Sequence, residues 1–304
     1  MKHKPEVQLD PFLSYHFLHE QEPDQQGMIR EVNTIFLTSK TCVFSCIFCD
    51  LWKNTVPQAP PRGAFLKQIH YALEQLPNAS VVKLYNNGNF FDPKCLSPDD
   101  YPDICSRLSS YERVVVENHP LLCGSLCANF QQQLAGQLEI AMGLETIHPG
   151  VLPRLKKQLT RDDFCRAAEF LLQRHIDIRV FLMLSPPFLT DREESIYWTL
   201  ESMHFAFAHG AGCCSVIPTR ATTAVMQQLQ QQGNYQAPTL DMLEEVMEKA
   251  LQRGYRRVFA DTWDIAFMSR CPHCFEARKQ RLERMNLTQQ LEPPVHCAYC
   301  QNNS

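Results

Sequence analysis

The sequence predicts an α/β fold: a parallel sheet with crossover helices, open or closed as a barrel, followed by a small module. Three observations predict it. Short apolar runs, many of them β-branched, alternate six or seven times with helix-like segments. Several of these runs are continuously apolar, as strands buried on both faces are. The alternation ends at Asp261, and residues 264–304 then carry four cysteines and a charged helix-like stretch, Phe275 to Met285. Alternation of this kind implies βαβ units, whose active sites form at the C-terminal ends of the strands.

Taken in order, residues 1–30 read as a polar N-terminal extension with a short amphipathic, helix-like piece, Phe12 to Glu20. His16 and His19 would share a face of that helix. Strands are predicted at Thr34–Thr38, Val81–Tyr85, Arg113–Glu117, Leu138–Leu144, Ile178–Leu184, Cys214–Ile217 and Arg257–Ala260. Helices are predicted at Ala64–Leu76, Pro98–Ser109, Leu126–Leu134, Arg161–Arg174, Arg192–His209, Ala221–Gln232 and Leu240–Arg253. Asp191 and Thr239 stand as N-caps, and Gly210 and Gly254 where helices should stop. Pro57 to Arg62 is a proline-rich loop. The division expected is 1–30 extension, 31–262 core and 263–304 four-cysteine module.

The chain has 304 residues, 44% of them hydrophobic and 20% charged. A chain of that length buries a core without staples, so its 14 cysteines need another reason. No stretch approaches the roughly 18 apolar residues of a membrane span, and no membrane partner is expected. Met1 to Asp10 is polar, without the apolar core of a secretory signal. A cytoplasmic, reducing setting is therefore expected, where clustered cysteines bind metal or do redox chemistry. The net charge of −4 argues against wholesale electrostatic capture of nucleic acid.

The first cysteine cluster is Cys42-Val43-Phe44-Ser45-Cys46-Ile47-Phe48-Cys49, a C-x3-C-x2-C run directly after a predicted strand. Three thiolates on one loop can serve three corners of an iron–sulfur cube. The fourth iron is then left open, as catalytic zinc sites leave one position open. Two other readings stand beside this one. The cysteines can be small buried hydrophobes, or zinc ligands joined by a fourth from elsewhere.

C-x3-C-x-aromatic-C after a strand resembles the signature of radical S-adenosylmethionine (SAM) enzymes, and the resemblance extends to about residue 262. It implies a partial (β/α) barrel, a [4Fe–4S] cluster on Cys42, Cys46 and Cys49, and SAM chelated by the open iron. One-electron cleavage of SAM would then give methionine and a 5′-deoxyadenosyl radical. A reductant such as ferredoxin or flavodoxin is implied as partner. Phe48 fits the aromatic position lying against the adenine. Asn87, Gly88 and Asn89 occupy the place of a glycine-rich motif that meets the methionine moiety. The acidic residue usual there is missing, and an ordinary Asn-Gly turn is the plainer reading. Gly88 is the residue expected to take a positive φ. Gly143-Leu144-Glu145 resembles a strand-four motif of the elongator-like branch, which makes Glu145 a candidate for holding the ribose. A solvated strand-end charge is the alternative for Glu145. Glu117-Asn118-His119-Pro120, Ser185-Pro186-Pro187-Phe188 and Pro218-Thr219-Arg220 end further strands on the same rim.

The combination of C-x3-C-x2-C, Leu84 to Asp92, Gly143 to Glu145 and Leu182 to Thr190 resembles the archaeosine synthase radical partner (RaSEA) family. Pro186-Pro187-Phe188-Leu189-Thr190 is its most telling part. The resemblance implies chemistry on a modified, 7-deazaguanine-type nucleoside or on tRNA, with a protein that delivers the substrate as a further partner. A radical enzyme acting on a small metabolite or peptide is the nearest rival. A non-catalytic iron–sulfur or zinc protein is the alternative of another class.

The second cluster pairs Cys271-Pro272-His273-Cys274 with Cys297-Ala298-Tyr299-Cys300, 22 residues apart. Two C-x2-C knuckles predict a four-cysteine zinc site of ribbon type, with an auxiliary iron–sulfur cluster as the alternative. Arg253, Arg256, Arg257, Arg270, Arg278, Lys279, Arg281 and Arg284 surround it. Arg278, Arg281 and Arg284 fall on nearby helical positions and could form a basic face for RNA phosphates. A solvated helix face is the alternative. Cys95, Cys105, Cys123, Cys127, Cys165, Cys213 and Cys214 read as buried small residues.

Overall fold

Alternate residues of the strands decide which face of the sheet meets the helices. Val82 and Leu84, Val114 and Val116, Leu138, Ile140, Met142 and Leu144, and Ile178, Val180, Leu182 and Leu184 are all buried in one cluster. Ile69, Ile104, Phe130, Phe164, Leu200 and Met247 from the intervening helices complete it. The computed structural model describes residues 9–301. Its strands are β1 (His16–Pro23), β2 (Ile29–Phe36), β3 (Ser39–Lys40), β4 (Thr55–Val56), β5 (Val81–Tyr85), β6 (Arg113–Glu117), β7 (Gln137–Glu145), β8 (Asp177–Leu184), β9 (Cys213–Pro218) and β10 (Val258–Ala260). The helices are α1 (Ala64–Leu73), α2 (Tyr101–Arg107), α3 (Ser125–Gln133), α4 (Arg161–Leu172), α5 (Arg192–Ala208), α6 (Ala224–Gln231), α7 (Leu240–Gln252), α8 (Pro272–Thr288) and α9 (Ala298–Gln301).

The main sheet runs β1-β2-β5-β6-β7-β8-β9-β10. From β2 to β10 every pair is parallel. Each new strand adds beside the last, so the sheet curls in one direction into a half-barrel. Its edges, β1 and β10, are not paired with one another. A two-stranded ribbon, β3 with β4, stands apart. The expected helix stops at Gly210 and Gly254 hold, both with positive φ. Asp191 caps α5 by accepting from the Glu194 N–H at 2.8 Å. Thr239 occupies the N-cap of α7 without a side-chain cap bond.

The amphipathic piece at Phe12–Glu20 is not helical. Residues 16–23 form β1, antiparallel to β2 in the register His16↔Phe36 to Pro23↔Ile29. Asp24 builds the turn, its Oδ1 accepting from the Gln26 and Met28 N–H groups at 2.9 Å each. A hairpin partner thirteen residues away outweighs the weak local helix pattern. His16 and His19 consequently point to opposite faces. The His16 ring meets Phe36 and Trp263, while His19 bonds Asn33 and Glu31.

The opposite, concave face carries a buried cluster of charges among its side chains. Glu139 is fully buried there. It accepts from Arg179 Nε at 2.8 Å, Arg113 Nη1 at 3.0 Å and both terminal nitrogens of Arg257 at 3.3 Å. Arg179 grips Glu22 of β1 through two bonds, 3.1 and 2.7 Å. Lys83 of β5 pairs with Glu20 at 2.9 Å and with Glu22. Burial alone would raise the Glu139 carboxyl. The charges of Arg179, Arg257 and Arg113 reverse that and bring it to about 2.

Removing one partner of a buried ionic network leaves the others uncompensated, at about 3–5 kcal/mol. Glu139→Ala is therefore expected to lower the unfolding free energy from urea titration at pH 7 by that amount, and an unchanged midpoint would refute the account. The folded value of Glu139 lies below the ordinary 4.5. Its stabilisation is then complete above about pH 4.5 and is lost as pH falls toward 2. Wild type minus variant, measured across that window, should show this decline.

Candidate active site at the rim of the half-barrel

The parallel strands bring their C-terminal ends to one rim, and the cysteine loop 41–50 lies there. β3 and β4 close its base through Ser39↔Thr55 and Lys40↔Val56. The Thr41 and Thr55 hydroxyls add a bond of 2.8 Å. Other rim loops hold it in place. The Ile47 N–H donates to the Leu155 carbonyl at 3.1 Å, and the Thr223 hydroxyl to the Ile47 carbonyl at 2.8 Å. Cys42, Cys46 and Cys49 are each part-exposed. Burial pushes the Cys46 thiol up to about 11 and Cys49 up to about 12, and raises Cys42 as well. Without a metal these thiols hold their protons.

The loop after β5 reaches this cluster. Asn89 Nδ2 donates to the Cys42 sulfur at 3.2 Å, and its Oδ1 accepts from the His119 N–H at 2.8 Å. Glu117, ending β6, accepts from the Asn86 N–H at 2.6 Å and the Gly88 N–H at 3.1 Å. The positive φ in this turn falls on Asn87, at 55°, and not on Gly88. The Asn87 side chain locks the turn. Its Nδ2 donates to the Asn54 carbonyl at 3.0 Å and its Oδ1 accepts from the Tyr15 hydroxyl at 2.8 Å. Asn86 is fully buried with both amide atoms unpartnered, an unusual expense at a loop end.

Glu145 ends β7 beyond a register shift, at φ 66°. It is buried and accepts from Lys157 Nζ at 2.7 Å, so it is not a solvated charge. Gly143 makes room for this pair. A Cβ there would stand 2.2 Å from Glu145 Oε1 and 2.6 Å from Lys157 Nζ. Lys157 was not foreseen from sequence, because it lies outside every motif, twelve residues beyond Glu145. Its charge acts on all three thiols of the loop. Phe48 packs against Val151, Leu152, Leu155, Met183 and Leu189. Phe44 instead stacks on His119, with ring centroids 3.8 Å apart. Burial drops His119 to about 3, so the stacked imidazole is neutral.

The donor set fits a cluster on three soft thiolates. One thiol accepts an amide N–H, and a buried ammonium stands by to offset negative charge. The second set is different in kind. Cys271, Cys274, Cys297 and Cys300 offer sulfurs all within 4.8 Å of one another, the one such group among the described residues. They can bind a metal. The basic face expected beside them does not form. Arg278 and Arg281 pair with Glu244 of α7, Arg281 also with Glu248, Arg284 with Glu292 and Lys279 with Glu283. Glutamates of α7 neutralise Arg278 and Arg281, and nearby glutamates neutralise Lys279 and Arg284. Arg220 turns to the Trp263 carbonyl and the Phe267 ring.

Burial raises Glu117 to about 7 from the ordinary 4.5, against the pull of backbone N–H groups. A carboxyl raised on folding costs stability as pH climbs from 4.5 through 7. Glu117→Gln keeps an acceptor oxygen without the charge. The metal-free variant should therefore gain stability relative to wild type as pH rises through that window. A flat difference, measured by denaturation, would remove this account.

No family model matches the chain. Archaeosine synthase subunit beta of Methanosarcina acetivorans is 24% identical over 246 residues, covering 74% of this chain and 68% of that protein. Among solved structures, the Elp3 of Methanocaldococcus infernus superposes with TM-score 0.53 at 14% identity, over 72% of this chain. Coproporphyrinogen III oxidase of Escherichia coli, a radical SAM enzyme, gives 0.51 at 14% identity, over 78% of this chain. The chain spans 59% and 58% of those two, and the likeness is one of fold. The chain thus shares the half-barrel fold of these two proteins and is similar in sequence to archaeosine synthase subunit beta.

Proposed function

We propose that this protein reductively cleaves SAM and directs the resulting radical at a modified, 7-deazaguanine-type nucleoside or at tRNA. One observation carries the reading: three cysteines on a single rim loop, with the β5 loop tied to the Cys42 sulfur by Asn89. The name of the curated relative, archaeosine synthase subunit beta, supports the substrate class. It also supports a protein partner that completes the enzyme or delivers its substrate.

In this reading residues 31–262 form the catalytic core, and Cys42, Cys46 and Cys49 hold a [4Fe–4S] cluster. Bound there, cluster and cofactor supply one-electron cleavage of SAM to methionine and a 5′-deoxyadenosyl radical. The chain itself holds and orients. Asn89 steadies the Cys42 sulfur by its N–H, and Lys157 offsets thiolate charge. Phe48, Asn87, Gly88, Asn89 and Glu145 line the place for the cofactor, Glu145 with its carboxylate set by Lys157. Glu117 fixes the backbone of the β5 loop. Ferredoxin or flavodoxin would supply the electron. Residues 263–304 form the appended module, and zinc is its metal. No described helix is long and apolar enough to cross a membrane, and a cytoplasmic setting suits exposed thiol ligands.

The test is anaerobic. The purified protein, with its cluster rebuilt and reduced by dithionite, should form 5′-deoxyadenosine from SAM when tRNA carrying the modified base is present. Cys46→Ala should reduce this at least a hundredfold. Failure to bind either iron or SAM would sink the reading. Cleavage of SAM with no change in any tRNA base would move the substrate to a small metabolite or peptide.

A further inference from the structure

The four C-terminal thiols sit where they can do a mechanical task. We propose that they hold one zinc ion that clamps a return strap to α8, and so keeps α8 seated over the open side of the half-barrel. The inference rests on the zinc reading above and adds the task. A tetrahedral zinc with Zn–S bonds of about 2.3 Å sets its sulfurs about 3.8 Å apart. Here Cys271 and Cys297 stand at 4.0 Å, Cys274 and Cys300 at 3.7 Å. An iron–sulfur cube places an iron–iron edge between its ligands and would hold the sulfurs further apart.

The chain lengths agree with a clamp. α8 has 17 residues, a rise of about 25 Å. The chain turns at Gln289, φ 53°, and residues 290–296 have no regular structure. About eight extended residues reach roughly 26 Å, so the strap returns to the start of α8, where Cys271 and Cys274 wait. Arg281 ties it midway, donating twice to the Glu292 carbonyl at 3.1 and 2.6 Å. Arg284 adds the Glu292 carboxylate at 3.0 Å.

α8 is worth clamping because of where it lies. It packs against β10 and β1, the two free edges of the sheet. Leu282 and Met285 are its fully buried apolar side chains in the main core, with Phe275 half-buried against it, few for so long a helix. Its last turn then takes the place of a further strand. Asn286 accepts from the Ala260 N–H and donates to the Ala260 carbonyl, both at 2.8 Å. Gln289 does the same for Val258, at 2.8 and 3.0 Å. Two side-chain amides thus satisfy the outer backbone of β10.

The experiment uses the full chain with its iron site rebuilt. Metal content is read by mass spectrometry and backbone opening by hydrogen exchange. Wild type should hold one zinc per chain. Cys297→Ser with Cys300→Ser should lose it and speed exchange at least tenfold in α8, the strap, and the Val258 and Ala260 amides. Chelation of zinc from wild type, followed in time, should give the same change and covers a variant that misfolds. Gln289→Ala should speed exchange at Val258 and keep its zinc. Zinc lost with α8 and β10 still protected would overturn the clamp. Iron in place of zinc at full occupancy would overturn the metal assignment and leave the rim-site chemistry untouched.

Discussion

The buried carboxylate of Glu139 holds the architecture to its curl. Three arginines converge on it from β6, β8 and the approach to β10, and one of them reaches across to Glu22 on β1. A sheet with helices on its convex side still needs something to fill the concave one. Apolar side chains would pack it solid and leave no room above. Paired charges fill the floor alone, since each must stay within bonding distance of its partners. The upper part of the concave face stays accessible: Phe36, Tyr85, Gly143, Phe181 and Ile217 are only half-buried although they lie in or near the middle of the sheet.

The two cysteine sets use different physics. The rim thiols are spread along a loop that three other segments pin down, so the fold holds the loop without help from a metal. The C-terminal thiols already converge, and there the metal would hold the fold. A buried, protonated thiol gives up its proton only to a strong cationic partner. Any metal taken up at the rim would therefore release protons as it binds.

Much of this was legible in the sequence. Continuous apolar runs betrayed the parallel strands, and all seven predicted helices overlap observed ones within about three residues at each end. The first turn predicted for Pro98–Ser109 is a 3-10 turn that leads straight into α2. The C-x3-C-x2-C spacing located the rim loop by itself. β1 was not legible, because its pattern is polar on the face that enters the ionic floor, and Glu20 and Glu22 look like solvent residues until Lys83 and Arg179 are seen opposite them. Lys157 escaped for a similar reason: a lysine in a loop, next to Lys156, has no periodicity to betray it. Arg278 and Arg281 of α8 misled because local composition shows their charge, while the glutamates that neutralise it lie on α7, some 33 residues away.

The covered edge of β10 has a consequence for how the protein is made. Synthesis proceeds from the N-terminus, and domains begin to fold as they emerge. When Ala260 emerges from the ribosome the half-barrel strands are all out, yet the amides that satisfy β10, Asn286 and Gln289, lie 26 and 29 residues further on and are still inside the exit tunnel. A nearly finished sheet thus waits with one bare edge, the kind of surface on which strands of neighbouring molecules pair. Crowded nascent chains on one message are most exposed to mispairing in that interval. Its length is set by the time α8 takes to clear the exit tunnel.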